Sequence, residues 1–167
     1  MTKVCLLSDT HGYLDEAILR HVRWADTVWH AGDIGTLTVL EQLESERPTR
    51  AVFGNIDGQS LRTACPENQL FQCEDVKVLI RHIGGYPGRY TPPTRTLIHE
   101  NKPQLYICGH SHILKVQHDS KHQLLHMNPG AAGRSGFHTL RTLLRFTIDG
   151  NTIDNLEVAE LGPRSKG

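Results

Sequence analysis

The sequence predicts an α/β fold in one domain, residues 1–161, and three features carry that expectation. The first half repeats strand, glycine-bearing turn and helix. The second half changes to hairpin patterns. The 167-residue chain, 38% hydrophobic and 22% charged, suits one domain with a sizeable core. Alternating strands and helices imply parallel strands joined by right-handed crossovers.

Thr2 to Leu7 is short, apolar and ended by Ser8-Asp9-Thr10-His11-Gly12, which predicts a buried strand. Asp15 to Trp24 has helical spacing, with Ala17, Ile18, His21 and Val22 on one side. Thr27 to His30 reads as a second strand, closed by Ala31-Gly32-Asp33. Leu37, Leu40 and Leu43 mark a helix that Pro48 stops. Arg50 to Phe53 is a third strand, closed by Gly54-Asn55-Ile56-Asp57-Gly58. Leu70 to Cys73 and Val76 to Arg81 form a hairpin over Glu74-Asp75. A Gly/Pro-rich loop runs from His82 to Pro93, and a short helix follows from Thr94 to Asn101 with Pro93 near its first position. Leu105 to Cys108 is a buried strand closed by Gly109-His110-Ser111-His112. Ile113 to Gln117 and Gln123 to Met127 flank a polar turn, and Asn128-Pro129-Gly130 has turn chemistry. Asp149-Gly150-Asn151 joins Leu140–Ile148 to Thr152–Leu161 in a closing hairpin, and residues 162–167 are expected to be a disordered tail.

Lys+Arg and Asp+Glu balance at 18 each. A neutral chain has no global field to attract nucleic acid or an anionic membrane, so any phosphate recognition must be local. No apolar run approaches the length of a membrane span. The N-terminal residues lack a cleavage-site pattern, and a cytoplasmic location is expected. Cys5, Cys65, Cys73 and Cys108 form no CxxC pair and read as small buried hydrophobes. Eleven histidines are the compositional oddity, and their positions matter more than their number.

Several strand-like runs end in metal-capable groups. The first delivers Asp9 and His11, which share a side if the backbone stays extended. The second gives Gly32-Asp33, the third Gly54-Asn55, and a later one Gly109-His110-Ser111-His112; Val76 to Arg81 ends at His82. In open α/β sheets, sites form at the carboxyl ends of strands, and glycine beside a ligand lets the backbone approach closely. Each piece alone is an ordinary turn, but the ordered set repeats one ligand chemistry at independent strand ends. The absence of cysteine from the set argues against a closed structural zinc site. Imidazole, carboxylate and carboxamide together suit Mn²⁺, Zn²⁺, Fe or Ni²⁺, in number enough for two ions. Two neighbouring dications need a bridging anion, and Asp33, central in the order, is the candidate.

Asp9-x-His11, Gly32-Asp33, Gly54-Asn55-x-Asp57, His82 and Gly109-His110-x-His112 together resemble the motifs of the calcineurin-like metallophosphoesterase superfamily, most closely its small bacterial and archaeal phosphodiesterase branch. The resemblance runs from Lys3 to about Gly130. It implies a four-layer α/β/β/α sandwich, two mixed β-sheets face to face with helices outside. It also implies two divalent ions, Mn²⁺ first among the candidates: Asp9, His11, Asp33 and His112 on one, and Asn55, His82, His110 and the shared Asp33 on the other. Asp9, Asp33, Asn55, His82 and His110 are the candidate catalytic residues. The implied reaction is hydrolysis of a small organic phosphodiester by a metal-bridging hydroxide, with both ions neutralising charge during in-line displacement. Two departures stand out. His82 is followed by Ile83 and then Gly84 where His-Gly is common, and Ile56 stands where many relatives carry histidine as a proposed leaving-group acid. The small phosphodiesterases share the second departure.

Outside this set, His30 and Asn128 are candidates to brace ligands, and Asp57 either orients a ligand or caps a helix. Tyr86, Arg89 and Tyr90 are candidate substrate contacts, with Arg134, His138 and Arg141 as further positive groups; each also has a plain structural reading. His21, His99, His118, His122 and His126 have no partner pattern. Competing readings are a phosphomonoesterase or nucleotidase and a non-catalytic binding scaffold of the same fold. The expected partner is a small phosphate ester, with neither membrane nor nucleic acid; homo-oligomerisation is left open.

Overall fold

In the computed structural model, residues 1–165 are described. The chain forms β1 (Thr2–Leu7), α1 (Glu16–Trp24), β2 (Thr27–His30), α2 (Leu37–Glu46), β3 (Thr49–Ala51), α3 (Gln59–Ala64), β4 (Asn68–Cys73), β5 (Val76–Arg81), α4 (Pro92–Asn101), β6 (Leu105–Ile107), β7 (Leu114–Asp119), β8 (Leu124–Pro129), β9 (Leu140–Asp149) and β10 (Thr152–Pro163). One sheet has the order β10-β9-β1-β2-β3 and the other β4-β5-β6-β8-β7. β1, β2 and β3 run parallel, as do β5, β6 and β8, so each sheet has a parallel centre and antiparallel strands towards an edge.

Residue alternation along the strands builds the layers. Val4 and Leu6 of β1 join Trp29, Val78, Ile80, Leu105, Ile107, Met127, Leu144 and Phe146 in a core shared by both sheets. Trp29 meets Phe71 and Phe146 edge-on at 5.1 and 5.8 Å. Their neighbours Cys5 and Leu7 point the other way, into a second core with Ile18 and Val22 of α1, Val39, Leu40 and Leu43 of α2, and Leu61 of α3. On the far side Leu79 and Tyr106 pack with Tyr90 and Ile98 of α4. The result is the helix–sheet–sheet–helix sandwich expected above.

The helices start where short polar side chains can satisfy free N–H groups. Asp15 Oδ1 accepts from Ile18 N at the head of α1, and Thr36 does so for Val39 N in α2. Three details differ from the sequence reading. The N-cap of α3 is Gly58, so Asp57 is not its cap. Asn128 and Pro129 belong to β8, and the turn begins at Gly130, whose φ is +74°. Gly162 and Pro163 extend β10 instead of starting a tail, because Gly162 and Pro163 pair with Arg141 and Leu140, and Arg164 N donates to Thr139 O at 3.0 Å. Lys166 and Gly167 of that expected tail lie outside the described residues.

Candidate metal centre

All seven candidate ligands lie just beyond the carboxyl ends of β1, β2, β3, β5 and β6, so both sheets aim them at one place. Asp9 and His11 are not extended. Their φ angles are +55° and +48°, and Asp33, His110 and His112 are left-handed too, at +54°, +73° and +62°. An extended chain would carry Asp9 and His11 forward along the strand; left-handed residues instead fold it back beside its neighbours. Non-glycine residues adopt this region only when the surroundings impose it. Here a lattice of main-chain bonds does so: Asp9 N donates to Gly32 O (2.9 Å), His11 N to Asp33 O (3.0 Å), Gly12 N to Ile34 O (2.8 Å) and Gly133 N to Asp9 O (3.1 Å). The glycines serve close approach. A Cβ on Gly54 would strike the Asp33 carboxylate, and one on Gly109 would strike Ser8 Oγ.

Two clusters result, Asp9–His11–His112 and Asp33–His82–His110, each with its ligand atoms within 4.8 Å of one another. In the first, His112 Nε2 is 3.2 Å and His11 Nε2 3.8 Å from Asp9 Oδ1. In the second, His82 Nε2 is 3.2 Å from Asp33 Oδ2. Asn55 Oδ1 lies 3.1 Å from both His82 Nε2 and His110 Nδ1, so it belongs with the second cluster. Asp33 Oδ2 is also 3.5 Å from His11 Nε2, between the clusters.

Each carboxylate has one oxygen held by the protein and one turned to the cluster. Asp9 Oδ2 accepts from Ser8 Oγ (2.6 Å) and His110 N (3.1 Å), while Oδ1 is buried with no hydrogen-bond partner. Asp33 Oδ1 accepts from Ile56 N at 3.0 Å, leaving Oδ2 inward. His82 Nδ1 donates to Ala31 O at 2.7 Å, which makes Nε2 the lone-pair nitrogen and aims it at Asn55 Oδ1 and Asp33 Oδ2. His11 Nε2 is a further buried atom without a partner. Lone pairs converging on one another, with buried orphans among them, are costly unless a cation sits between them. The donor set therefore fits divalent metal ions.

Charge follows the same layout. Burial pushes the Asp9 carboxyl up, but the neighbouring His11, His112 and His82 imidazoles and the Ser8 hydroxyl outweigh it and hold the group well below the usual carboxylate range. Asp33 is likewise lowered, burial being outweighed by His82 and the Ile56 N–H. The Asp9 carboxylate beside it raises the His11 imidazole; burial lowers His82, and the two carboxylates more than reverse it.

His30, Asp57 and Asn128, the candidate supports, brace the loops that carry the ligands. His30 is buried and touches no candidate ligand side chain. Its Nδ1 accepts from Gly32 N (3.1 Å) and its Nε2 meets Thr10 Oγ1 (2.9 Å), which donates to Ile34 O. It thus ties the β1 and β2 loops together, and burial pushes its imidazole down to about 4. Asp57 accepts from Gly54 N, Ile34 N and Gly35 N at 2.8–3.1 Å, bracing the loops that carry Asn55 and Asp33. Asn128 Nδ2 donates to Gly109 O and Ser111 Oγ, both at 3.1 Å, and so holds the His110–His112 turn. Ser8 and Thr10 carry no sequence signal for these roles beyond being short hydroxyls in the turn. His138 packs edge-on against His112 at 5.1 Å and bonds Gly133 O. Arg141 is buried away from the ligands on Asp15 Oδ2 (3.1 Å) and main-chain carbonyls, and Arg134 sits over Tyr13. Tyr86 lines a cavity next to His110, whereas Tyr90 is buried on Asp119 and Arg89 lines a separate surface hollow with it.

A site of this construction, at the strand ends of a two-sheet sandwich, defines a class, and residues 2–151 match the calcineurin-like phosphoesterase superfamily domain. The chain belongs to that superfamily. It is 28% identical over 154 residues to a probable metallophosphoesterase of Methanothermobacter thermautotrophicus, covering 89% of this chain and 87% of that one. Among solved structures it shares the fold of a novel archaeal phosphodiesterase (TM-score 0.71, 22% identity, covering 93% of this chain and 99% of that one) and of Chaetomium thermophilum Vps29 (0.75, 12%, 96% and 97%). No helix among the described residues is long and apolar enough to cross a membrane.

Proposed function

We propose that the protein is a dinuclear phosphodiesterase acting on small organic phosphodiesters in the cytoplasm. The observation that carries the reading is Asp33 Oδ2, placed within 3.5 Å of a histidine from each cluster while the inward atoms of Asp9 and His11 have no hydrogen-bond partner among the described residues. Asp9, His11, Asp33 and His112 would hold one ion; Asp33, Asn55, His82 and His110 would hold the other. When bound, a pair of divalent cations, Mn²⁺ first among the candidates, supplies Lewis-acid charge and acidifies the water between them to near neutrality.

The chain's own part is positioning. Ser8, the His110 N–H and the Ile56 N–H fix which carboxylate oxygen turns inward. Ala31 O selects the His82 tautomer with a free Nε2. Ile56 is 47% exposed beside this group and cannot pass a proton, so the reading favours leaving groups that depart without strong protonation. A diester is favoured over a monoester because two hollows flank the ligands. One of about 330 Å³ is lined by Phe53, Asn55, Arg62, Arg81 and His82, and another of about 390 Å³ opens beside His110. One organic arm can occupy each.

The test is turnover of metal-saturated protein on bis(p-nitrophenyl) phosphate against p-nitrophenyl phosphate. The reading requires the diester to be hydrolysed faster. A monoester preference would make the protein a phosphomonoesterase, and no turnover with any of Mn²⁺, Zn²⁺, Fe²⁺ or Ni²⁺ would favour a scaffold.

A further inference from the structure

The cavity beside His110 is built in a way that hydrolysis alone does not require. Three exposed apolar side chains, Ile83 (40%), Tyr86 (41%) and Ile113 (65%), converge on it from two different loops. Exposed apolar groups gathered on one concavity mark a binding surface more than scattered ones do. One cation, Lys115, stands among them with its Nζ 4.0 Å from the centre of the Tyr86 ring.

The loop that carries Tyr86 is tied down by hydrogen bonds. Tyr86 begins a tight turn closed by Arg89 N donating to Tyr86 O at 2.8 Å, and Thr91 N donates to Gly84 O at 3.0 Å. From beneath, Tyr106 OH donates to Gly85 O at 2.8 Å. The Tyr106 ring stacks on His126 at 4.9 Å with the planes 21° apart. His126 Nδ1 bonds Tyr106 O, so its Nε2 is left as an acceptor without a partner among the described residues, on a ring that lines the cavity. The hollow therefore offers a preformed aromatic and aliphatic slot, one acceptor and one ammonium, all continuous with the candidate ligand His110.

We propose that this cavity is a specificity subsite that selects a flat aromatic or heteroaromatic substituent on the phosphoryl group, with Tyr86 and Ile113 as its gripping walls. The inference rests on the phosphoesterase reading for the position of the phosphoryl group, and it adds the class of substituent. A flat ring entering the hollow would bury apolar surface against Tyr86 and Ile113, with Lys115, seated over the Tyr86 ring, lining the same hollow. A methyl group leaves the slot unfilled.

Non-hydrolysable probes separate the two claims. Calorimetric titration of Mn²⁺-loaded protein with phenylphosphonate and with methylphosphonate reads binding without turnover. Phenylphosphonate is expected to bind at least about ten-fold tighter. Tyr86→Ala and Ile113→Asn, both at exposed positions, should each remove most of that advantage and leave methylphosphonate within about two-fold of wild type. Equal affinity for the two probes in wild type, or an advantage that survives both substitutions, overturns the subsite. Failure of both probes to bind, in protein shown to hold its metal, sinks the phosphoesterase reading itself and the subsite with it.

Discussion

The protein gathers carboxylate and imidazole in two places, and the two are built on opposite terms. At the β7–β8 turn, Asp119 Oδ2 accepts from Tyr90 OH (2.6 Å) and His122 Nδ1 (2.8 Å), and its Oδ1 accepts from the N–H groups of Lys121 and His122 (3.0 and 3.2 Å). Every acceptor is filled by the protein. At the strand ends, Asp9 Oδ1 and His11 Nε2 are buried and unfilled, and lone pairs from Asn55, His82 and Asp33 face one another. The same residue types make a closed knot in one case and an open socket in the other. What distinguishes a site from a support here is which atoms the fold leaves without partners.

Mutation should affect the socket and the knot in opposite ways, with the largest effects at the socket. Asp9→Ala should cut diester hydrolysis at least about a thousand-fold, the scale seen when a central electrostatic group is removed from an active site. A steady-state assay at saturating metal checks it, with circular dichroism to establish that the variant is folded. His30→Leu should fold, yet loosen the tie between the β1 and β2 loops and weaken metal binding about ten- to a hundred-fold, as loss of a group that orients ligands does. Competition with a metal chelator would measure this, and an unchanged affinity would reduce His30 to packing.

At the knot the expectation reverses. Asp119→Ala orphans the buried Tyr90 hydroxyl and should cost about 2 kcal/mol of stability in urea unfolding, while kcat for the diester stays within about two-fold. A variant that kept its stability but lost activity would show that the knot is part of the site.

His126 sits between the two cases, with one nitrogen bonded and the other bare, and it gives the smallest effect. Burial pushes its imidazole down to about 4 from an ordinary 6.5. Between those values the unfolded chain takes up a proton that the folded chain refuses. The stability owed to this ring is whole above pH 6.5 and falls as the pH drops towards 4, by at most about 1.4 kcal/mol per unit. Across pH 6.5 to 5.5, wild type should lose about 1 kcal/mol more than His126→Phe. Parallel pH profiles of the two proteins would contradict the assignment.

Much of this was legible in the sequence, for identifiable reasons. Strands buried on both faces, such as Val4-Cys5-Leu6-Leu7, announce themselves as apolar runs, and the glycines beside Asp33, Asn55 and His110 mark where the backbone comes close. Parallel strands present their ends side by side, so ligand-type residues at successive strand ends meet in space; which of them would share an ion came only from the family resemblance. Backbone conformation was not legible. Asp9 and His11 look like an extended pair, and only the bonds to Gly32 O and Asp33 O show why both are left-handed. Supports that work through main-chain groups were equally hidden. Asp57 read equally as a ligand support or a cap for α3, and the Ile34 and Gly35 N–H groups of the β2 loop, with Gly54 N–H of its own loop, claim its carboxylate. Thr10 and Ser8 carry no spacing signal, since their partners are contributed by the fold; His30 was marked by its place before Gly32-Asp33, but its actual partners, Thr10 and Gly32 N, were not.

Metal stoichiometry tests most directly the proposed sharing of Asp33 between two ions. Protein dialysed against Mn²⁺ and analysed by plasma mass spectrometry should carry two ions per chain in wild type and in Asp119→Ala, and fewer than one in Asp33→Ala, because removing the shared ligand opens both shells. A single ion in wild type, or two ions retained by Asp33→Ala, would contradict it.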